Sequence, residues 1–258
     1  MRDELHTLSK ALDVLMALAQ HGGEIKASEL ETELEVSRSS LYRIIGTLKQ
    51  KNFIEVGSQG SYRLGLTVLS LGIVAKENHA VDALVKPVME RVVQETKETV
   101  MLTGLVFPHA MCIARVESPY SIRLSYEVGR FMPLCAGASG KVLLGALNEN
   151  QLYQYMQLAS ERGFLAACHT DENTLRKHLD DLKQNGYSLS ISEVDDDAFA
   201  VAVPVFDKAG KQRYGISLAG PVKRLQAEKF VHVLKNAAQE LSETLYPTPG
   251  GEKQDAAH

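Results

Sequence analysis

The sequence predicts an α+β chain: a winged helix-turn-helix at residues 1–65, a linker helix at 66–80, and an antiparallel sheet flanked by helices at 81–246. Three observations carry this. Over 27–64, two short segments with apolar stripes at helical spacing are joined by a tight turn and followed by two strand-like runs. From Val81 onward, helical spacing alternates with period-two runs. A long amphipathic segment, Ala227–Leu245, closes the pattern. With 258 residues, 45% of them hydrophobic, the chain can bury one or two cores.

The first helix is expected at 8–19, with Leu8, Ala11, Leu12, Leu15 and Ala19 on one face and His21-Gly22-Gly23 ending it. A second helix at 27–34 buries Ala27, Leu30 and Leu34, and Val36 lies in the turn that follows. Ser37 suits the N-cap of the third helix, its hydroxyl accepting from a free amide of the first turn. Leu41, Ile44, Ile45 and Leu48 then face inward. Strands at 53–56 and 62–64 flank Gly57-Ser58-Gln59-Gly60-Ser61, a tip of small and permissive residues. The segment 66–78 carries Leu66, Leu69 and Ile73 at helical spacing, with Leu71 and Val74 on a second edge. It either packs on its own domain or pairs two copies, and its place beside a module that works in pairs favours the second.

The second domain opens with a helix at 87–96, Pro87 taking the first turn. Strands are expected at 100–107, 111–117 and 122–128, turning at Pro108-His109 and broken by Pro119. Helices follow at 139–147, 149–159 and 171–185, the last capped by Thr170 and stopped by Gly186. Strands at 187–191, 199–206 and 213–218, with a turn at Asp207-Lys208-Ala209-Gly210, precede the closing helix. Residues 247–258 are polar and expected to be disordered.

The net charge of −4 argues at first against a nucleic-acid partner. Position matters more than the sum. From 36 to 54 the charged residues are Arg38, Arg43, Lys49 and Lys51, with no acid, whereas Glu24, Glu29, Glu31, Glu33 and Glu35 crowd the stretch before. A local positive patch suffices for phosphate contact. Because this patch is small, one copy should bind weakly and a dimer is required. A recognition helix reads bases near its N-terminal end, here Arg38, Ser39, Ser40, Tyr42 and Arg43, with Thr47 one turn on. Arg38 or Arg43 suits a guanine edge. Lys49 and Lys51 suit the phosphate backbone. In the wing, Ser58, Gln59 and Ser61 are candidates for a minor groove or phosphate, with Arg63 supporting them. Double-stranded DNA is thus the first partner.

Other chemistries find no footing. No apolar run reaches the roughly 18 residues a membrane span needs, and the start MRDELHTLSK lacks a signal-peptide core, so the cytoplasm is expected. Cys112, Cys135 and Cys168 stand far apart in sequence with no CxxC pair, which argues against a zinc site or disulfide framework. In 133–141, PLCAGASGK, Cys135 stands where a P-loop needs glycine and Val142 follows Lys141; the GxSxG of a nucleophile elbow is also missing. That segment enters a helix, and either tight helix–sheet packing or an anion at its amides explains it. Asp195-Asp196-Asp197 lacks calcium-loop spacing and reads as solvated loop. Cys168-His169 has no visible base or orienting partner, and no Ser/His/Asp or Cys/His set is assembled, so neither enzymatic activity nor a cofactor is expected.

Several motifs in order, SRSSLYRIIGTLKQKNFIE, YRLGLTVLSLG, VGRFMPLCAGASGKVLL, NGYSLSISE, AVPVFDKAG and ISLAGP, resemble the IclR-type bacterial transcription regulators from about residue 8 to 245. The resemblance implies a GAF-like C-terminal domain that binds a small effector, and a homodimer or homotetramer. It places Leu134, Ala138 and Ser139 at the helix-entry positions of the effector pocket and Ser217 at the first serine of the family's Ser-x-Ser-Gly-Pro strand. The second serine is Ala219 here, a frequent cysteine is Ala200, and an expected aspartate falls at Ser190 or Ile191. Fewer hydrogen-bonding groups disfavour a very small, highly polar acid. The implied function is an effector-responsive regulator, expected to be a repressor, sensing an organic acid with a larger apolar body, aromatic acids among the candidates, held by the Ser139 amide and Ser217. The alternative is an enzyme acting on such an acid, with the winged helix as an interaction module.

Overall fold

The computed structural model describes residues 5–78, 81–124 and 126–247, and the chain divides between residues 80 and 81 into two compact units. The expected disordered tail falls almost wholly outside the described residues, as do the last two residues of the expected linker.

The first unit runs α1 (His6–His21), α2 (Ala27–Glu33), α3 (Arg38–Gln50), β1 (Ile54–Val56), β2 (Tyr62–Leu64) and α4 (Leu66–Asn78). β1 and β2 pair antiparallel, Ile54 opposite Leu64 and Val56 opposite Tyr62, and Ile25 bridges to Tyr62. Val14, Ala17, Leu18, Leu30, Leu41, Ile44, Ile45 and Ile54 form the core, with Val36 plugged into it from the turn. Glu35 holds a positive φ in that turn, which sets the angle between α2 and α3.

Two local expectations are corrected. The buried face of α1 is Val14, Ala17 and Leu18, flanked by half-buried Ala11 and Leu15, while Leu8, Leu12 and Ala19 are exposed. The helix carries two adjacent apolar stripes, and only one meets this unit's core. Ser37 is the N-cap of α3, but its hydroxyl does not accept from a backbone amide; it donates to Ser40 Oγ at 3.0 Å.

The second unit comprises α5 (Val81–Thr96), β3 (Thr99–Val106), β4 (His109–Val116), β5 (Phe131–Pro133), α6 (Gly137–Lys141), α7 (Glu149–Glu161), α8 (Phe164–Ala167), α9 (Glu172–Asn185), β6 (Ser188–Ile191), β7 (Ala198–Phe206), β8 (Gln212–Pro221) and α10 (Ala227–Leu245). Six strands form an antiparallel sheet in the order β5-β4-β3-β8-β7-β6. Because side chains alternate across a strand, each strand feeds two cores. Val100, Leu102, Val201, Val203, Ile216 and Leu218 pack beneath α5 and α10. Met101, Ala202 and Ala219 face the opposite side, towards α6, α7 and α9. That opposite side holds the cavity described below.

Here too the structure departs from expectation. Pro87 lies inside α5 rather than at its start, because Val85 continues the buried stripe of Val88, Met89 and Val92 back through it. The described residues within 122–128 are not in a strand; the edge of β4 is taken by β5, with His109 opposite Pro133. The helix expected over 139–147 is α6 followed by a 3-10 turn, Val142–Ala146. α8 was not foreseen, and α9 is capped by Asp171, which accepts from Thr174 N–H at 2.7 Å, not by Thr170.

Candidate functional site

Helix α3 turns Leu41, Ile44 and Ile45 inward, so Arg38, Ser39, Tyr42, Arg43, Thr47 and Lys49 are left exposed on its outer side, with Ser40 half-buried. The guanidinium of Arg38 lies 5.8 Å from the Tyr42 ring centroid, and the Thr47 hydroxyl donates to Arg43 C=O at 3.0 Å. The Arg43 side chain makes no hydrogen bond or ion pair among the described residues, which leaves its charge available. Gly46 sits on the same outer side, one turn beyond Tyr42 and Arg43, with open space where a Cβ would stand.

The wing is organised around an acid. Glu24 accepts from Ser58 N–H at 2.9 Å, from the Ser58 hydroxyl at 2.7 Å and from the Ser61 hydroxyl at 2.5 Å. These bonds, that of Ser61 first, hold its pKa below the usual carboxylate range. A Cβ on Gly57 would run into this carboxylate, so a larger residue there would push Glu24 out of its place in the wing. Ser58 and Ser61 are therefore engaged within the protein. Arg63 pairs with Glu55 at 3.1 Å and approaches Glu24 at 3.8 Å. Gln59 alone among the wing candidates projects freely from the tip, at a positive φ.

In the second unit a cavity of ≈ 130 Å³ lies between the sheet and α6. Its floor is one rung of the sheet: Ser190 lies opposite Ala200, and Ala200 opposite Ala219. These three candidates come from three strands, yet alternation turns all of them to the same face. Ala138 and Ser139 of α6 line the wall. Ser217, one residue pair along, is fully buried and accepts from the Ser139 hydroxyl at 2.8 Å, behind the wall. Leu134 is buried in the neighbouring core and does not line the cavity. Gly137 begins α6 at φ 64, where a side chain would be strained and would crowd Val194.

The entry to α6 already holds a carboxylate. Glu193 accepts from Gly137 N–H at 3.3 Å and from Lys141 Nζ at 2.7 Å, while Ala138 N–H donates to Ser190 Oγ at 3.2 Å. Lys141 is 2% exposed and Glu193 32% exposed, so a buried ammonium is neutralised by an acid that reaches in from the surface. Sequence reasoning named neither residue as a site. It also missed Arg130 and Tyr126, on the far side of the cavity, where the guanidinium stacks 4.6 Å from the ring centroid. Burial and then Asp195, whose carboxylate accepts from the Tyr126 hydroxyl at 3.3 Å, push that phenol up to about 12. Met101, Leu124, Phe131 and Val194 complete a mostly apolar lining.

Asp195 to Asp197 form a surface loop, and no cluster of three or more potential metal ligands occurs among the described residues. No described helix is long and apolar enough to cross a membrane.

Comparison with known proteins places this geometry. The IclR helix-turn-helix domain model matches residues 7–57, and the model of the bacterial transcriptional regulator IclR C-terminal matches 74–243. The HTH-type transcriptional regulator KipR of Bacillus subtilis is 27% identical over 245 residues, covering 94% of this chain and 98% of that protein. An IclR family transcriptional regulator from Brucella abortus has the same fold at 20% identity, with a TM-score of 0.78 over 94% of this chain and 93% of that one. So does an IclR homolog from Microbacterium hydrocarbonoxydans, solved in complex with 4-hydroxybenzoate, at 20% identity and a TM-score of 0.68 over 93% and 98%. With both models matched in order and the C-terminal model alone spanning most of the chain, the protein belongs to the IclR family of effector-responsive, DNA-binding bacterial transcriptional regulators.

Proposed function

We propose that the protein works in the cytoplasm as a repressor, binds a roughly palindromic operator as a homodimer or homotetramer, and releases or tightens its hold when an organic acid with a large apolar body occupies the GAF-like second domain. The observation that carries the effector reading is the cavity's composition: apolar side chains over a floor of Ala200 and Ala219 beside Ser190, with Arg130 on one side and Glu193, paired behind the wall with Lys141, on the other. A carboxylate is met by Arg130, or by taking the place of Glu193 at Gly137 N–H and Lys141. The ring or chain of the acid rests on Ala200 and Ala219. A two- or three-carbon keto acid would leave its oxygens against methyl groups, at a cost of about 1–3 kcal/mol for each unpaired group. Aromatic acids, the class of the 4-hydroxybenzoate in the Microbacterium homolog, suit such a lining. In this reading Ser139, Ser190 and Ser217 fix the wall and floor in place, and Leu134 supports them from the core.

Arg38, Ser39, Ser40, Tyr42, Arg43 and Thr47 supply the major-groove face, Lys49 and Lys51 the flanking phosphate contacts, and Gln59 and Arg63 the wing. Pairing of two copies is supported by uncovered apolar side chains in the first unit. Leu5, Leu8 and Leu12 at α1, and Leu66, Leu69 and Ile73 on α4, are each more than half exposed. The linker α4 then carries the ligand signal to the reading heads.

The test is selection of bound genomic fragments, followed by thermal-shift screening of acids and operator titration with each hit. The expected outcome is an inverted repeat with half-sites about one helical turn apart. An aromatic or branched acid that raises the melting temperature should change operator affinity about 5- to 150-fold. A screen answering only to two- or three-carbon acids, or fragments without a common inverted repeat, would overturn the reading.

Gly46 provides a separate check. Gly46→Ala is expected to stabilise the first unit by about 0.5–1 kcal/mol in a denaturant melt, since alanine is the better residue inside a helix. Operator affinity should fall at the same time, because the methyl stands where the duplex approaches. A gain in both would remove Gly46 from the interface.

A further inference from the structure

We propose that Cys135 and Cys168 are a redox pair that a hydroperoxide converts into an intramolecular disulfide, tying the chain that enters α6 to the turn that ends α8. The two residues are 33 apart in sequence, yet the fold brings their sulfurs to 2.8 Å. A disulfide requires about 2.05 Å, so a small approach of the two side chains suffices. Cys135 is buried, whereas Cys168 is half-exposed and opens the pair to solvent.

The surroundings favour a thiolate. Tyr155 of α7 is wholly buried, and its hydroxyl makes no hydrogen bond among the described residues. A negative charge on Cys135 supplies the acceptor this hydroxyl lacks. The Cys168 thiol chiefly, and the Tyr155 hydroxyl after burial has opposed it, bring the Cys135 thiol below the usual thiol range. Cys168, sharing its proton with Cys135, is pushed up. The third cysteine is the contrast: Cys112 faces Ala114 C=O at 3.6 Å inside the sheet, and burial pushes it up to about 11. Of the three sulfurs, that of Cys135 is therefore the most readily ionised and the best nucleophile.

The steps balance. The Cys135 thiolate attacks one oxygen of the hydroperoxide, an S–O bond forms as the O–O bond breaks, and the leaving oxygen takes up a proton. The Cys168 sulfur then attacks the sulfenic sulfur, an S–S bond forms, and the hydroxide expelled leaves as water with the Cys168 proton. Two electrons pass from the sulfurs to the peroxide. The site is a modification site and no metal centre, for no third ligand joins the pair among the described residues. Its consequence is local: Ala136, Gly137 and Ala138, immediately after Cys135, line the cavity, so the cross-link anchors one cavity wall to α8. The chemistry itself does not depend on which acid the cavity takes.

The experiment treats the reduced full-length protein with hydrogen peroxide near neutral pH, alkylates remaining thiols after denaturation, and reads intact mass and peptide map. The expected result is a loss of about 2 Da, one alkylated cysteine, Cys112, and a linked peptide pair containing Cys135 and Cys168, all reversed by dithiothreitol. Cys112→Ser should give the same cross-link, and Cys135→Ser or Cys168→Ser should give none within the chain. Three alkylatable cysteines after treatment would overturn the proposal. So would a lone sulfinic acid without a cross-link, or disulfides that join separate chains.

Discussion

Arg43→Ala is expected to weaken operator binding by about 1–3 kcal/mol, roughly 5- to 150-fold in Kd. The side chain stands on the outer side of α3, exposed and without a partner within the described residues. Removing it breaks nothing internal, so the melting temperature should stay within the small range of a surface change. The affinity loss then reports the duplex contact alone. A salt titration separates the two ways that contact is made. If Arg43 reads a base edge, discrimination between operator and mutated operator should collapse while the salt dependence barely moves. If it holds a phosphate, affinity should fall evenly across sequences and the salt slope should shrink by about one. Fluorescence anisotropy on a labelled duplex makes both measurements, and an unchanged Kd would exclude Arg43 from the interface.

The second large effect is expected at Glu193. Glu193→Ala leaves the Lys141 ammonium, 2% exposed, without its carboxylate. Breaking a fully buried pair in this way costs about 3–5 kcal/mol. Glu193 itself is a third exposed, so water can reach part of the site, and about 2–4 kcal/mol is the expected loss in a urea melt of the second unit. Glu193→Gln keeps an acceptor for Gly137 N–H and for the ammonium, and should lose less. The alanine variant also vacates the place proposed for the ligand carboxylate. An acid that binds there should therefore raise the melting temperature of Glu193→Ala more than that of the native protein. A change below about 0.5 kcal/mol would mean that Lys141 finds another partner, because a shift of that size is ordinary for a surface site.

What the sequence made legible was set by the range of the interactions involved. The inward stripe of α3, the hairpin and the whole of α10 are local patterns, and each appears within a residue or two of its expected place. Residues 122–128 show how a local pattern misleads. Leu124 and Tyr126 do turn inward, to the cavity, while Ile122 and Val128 are exposed. A strand would turn all four to one face, yet only the middle two are covered; apolar spacing does not say whether the backbone finds a neighbour to pair with. In α1 the fault was of another kind: two apolar stripes lie side by side, and spacing alone does not say which one meets the core of the same chain. Ser190, Ala200 and Ala219 were each named from the resemblance, but that they form one rung is a matter of strand register. Lys141–Glu193 and Cys135–Cys168 join residues 52 and 33 positions apart, and contacts of that range leave no periodic trace.

The rung has a further consequence for how such a protein changes over time. Neighbouring strands lie about 4.8 Å apart, so three small side chains abreast make a shelf roughly 10 Å wide, enough for one flat ring. The shelf's breadth belongs to the backbone ladder, but its depth is decided by single side chains on separate strands. One codon change at Ala200 or Ala219 can therefore retune which molecule is welcome without disturbing a main-chain bond, whereas Ser190 is tied to the Ala138 amide, and a lineage can alter its diet while leaving its architecture untouched.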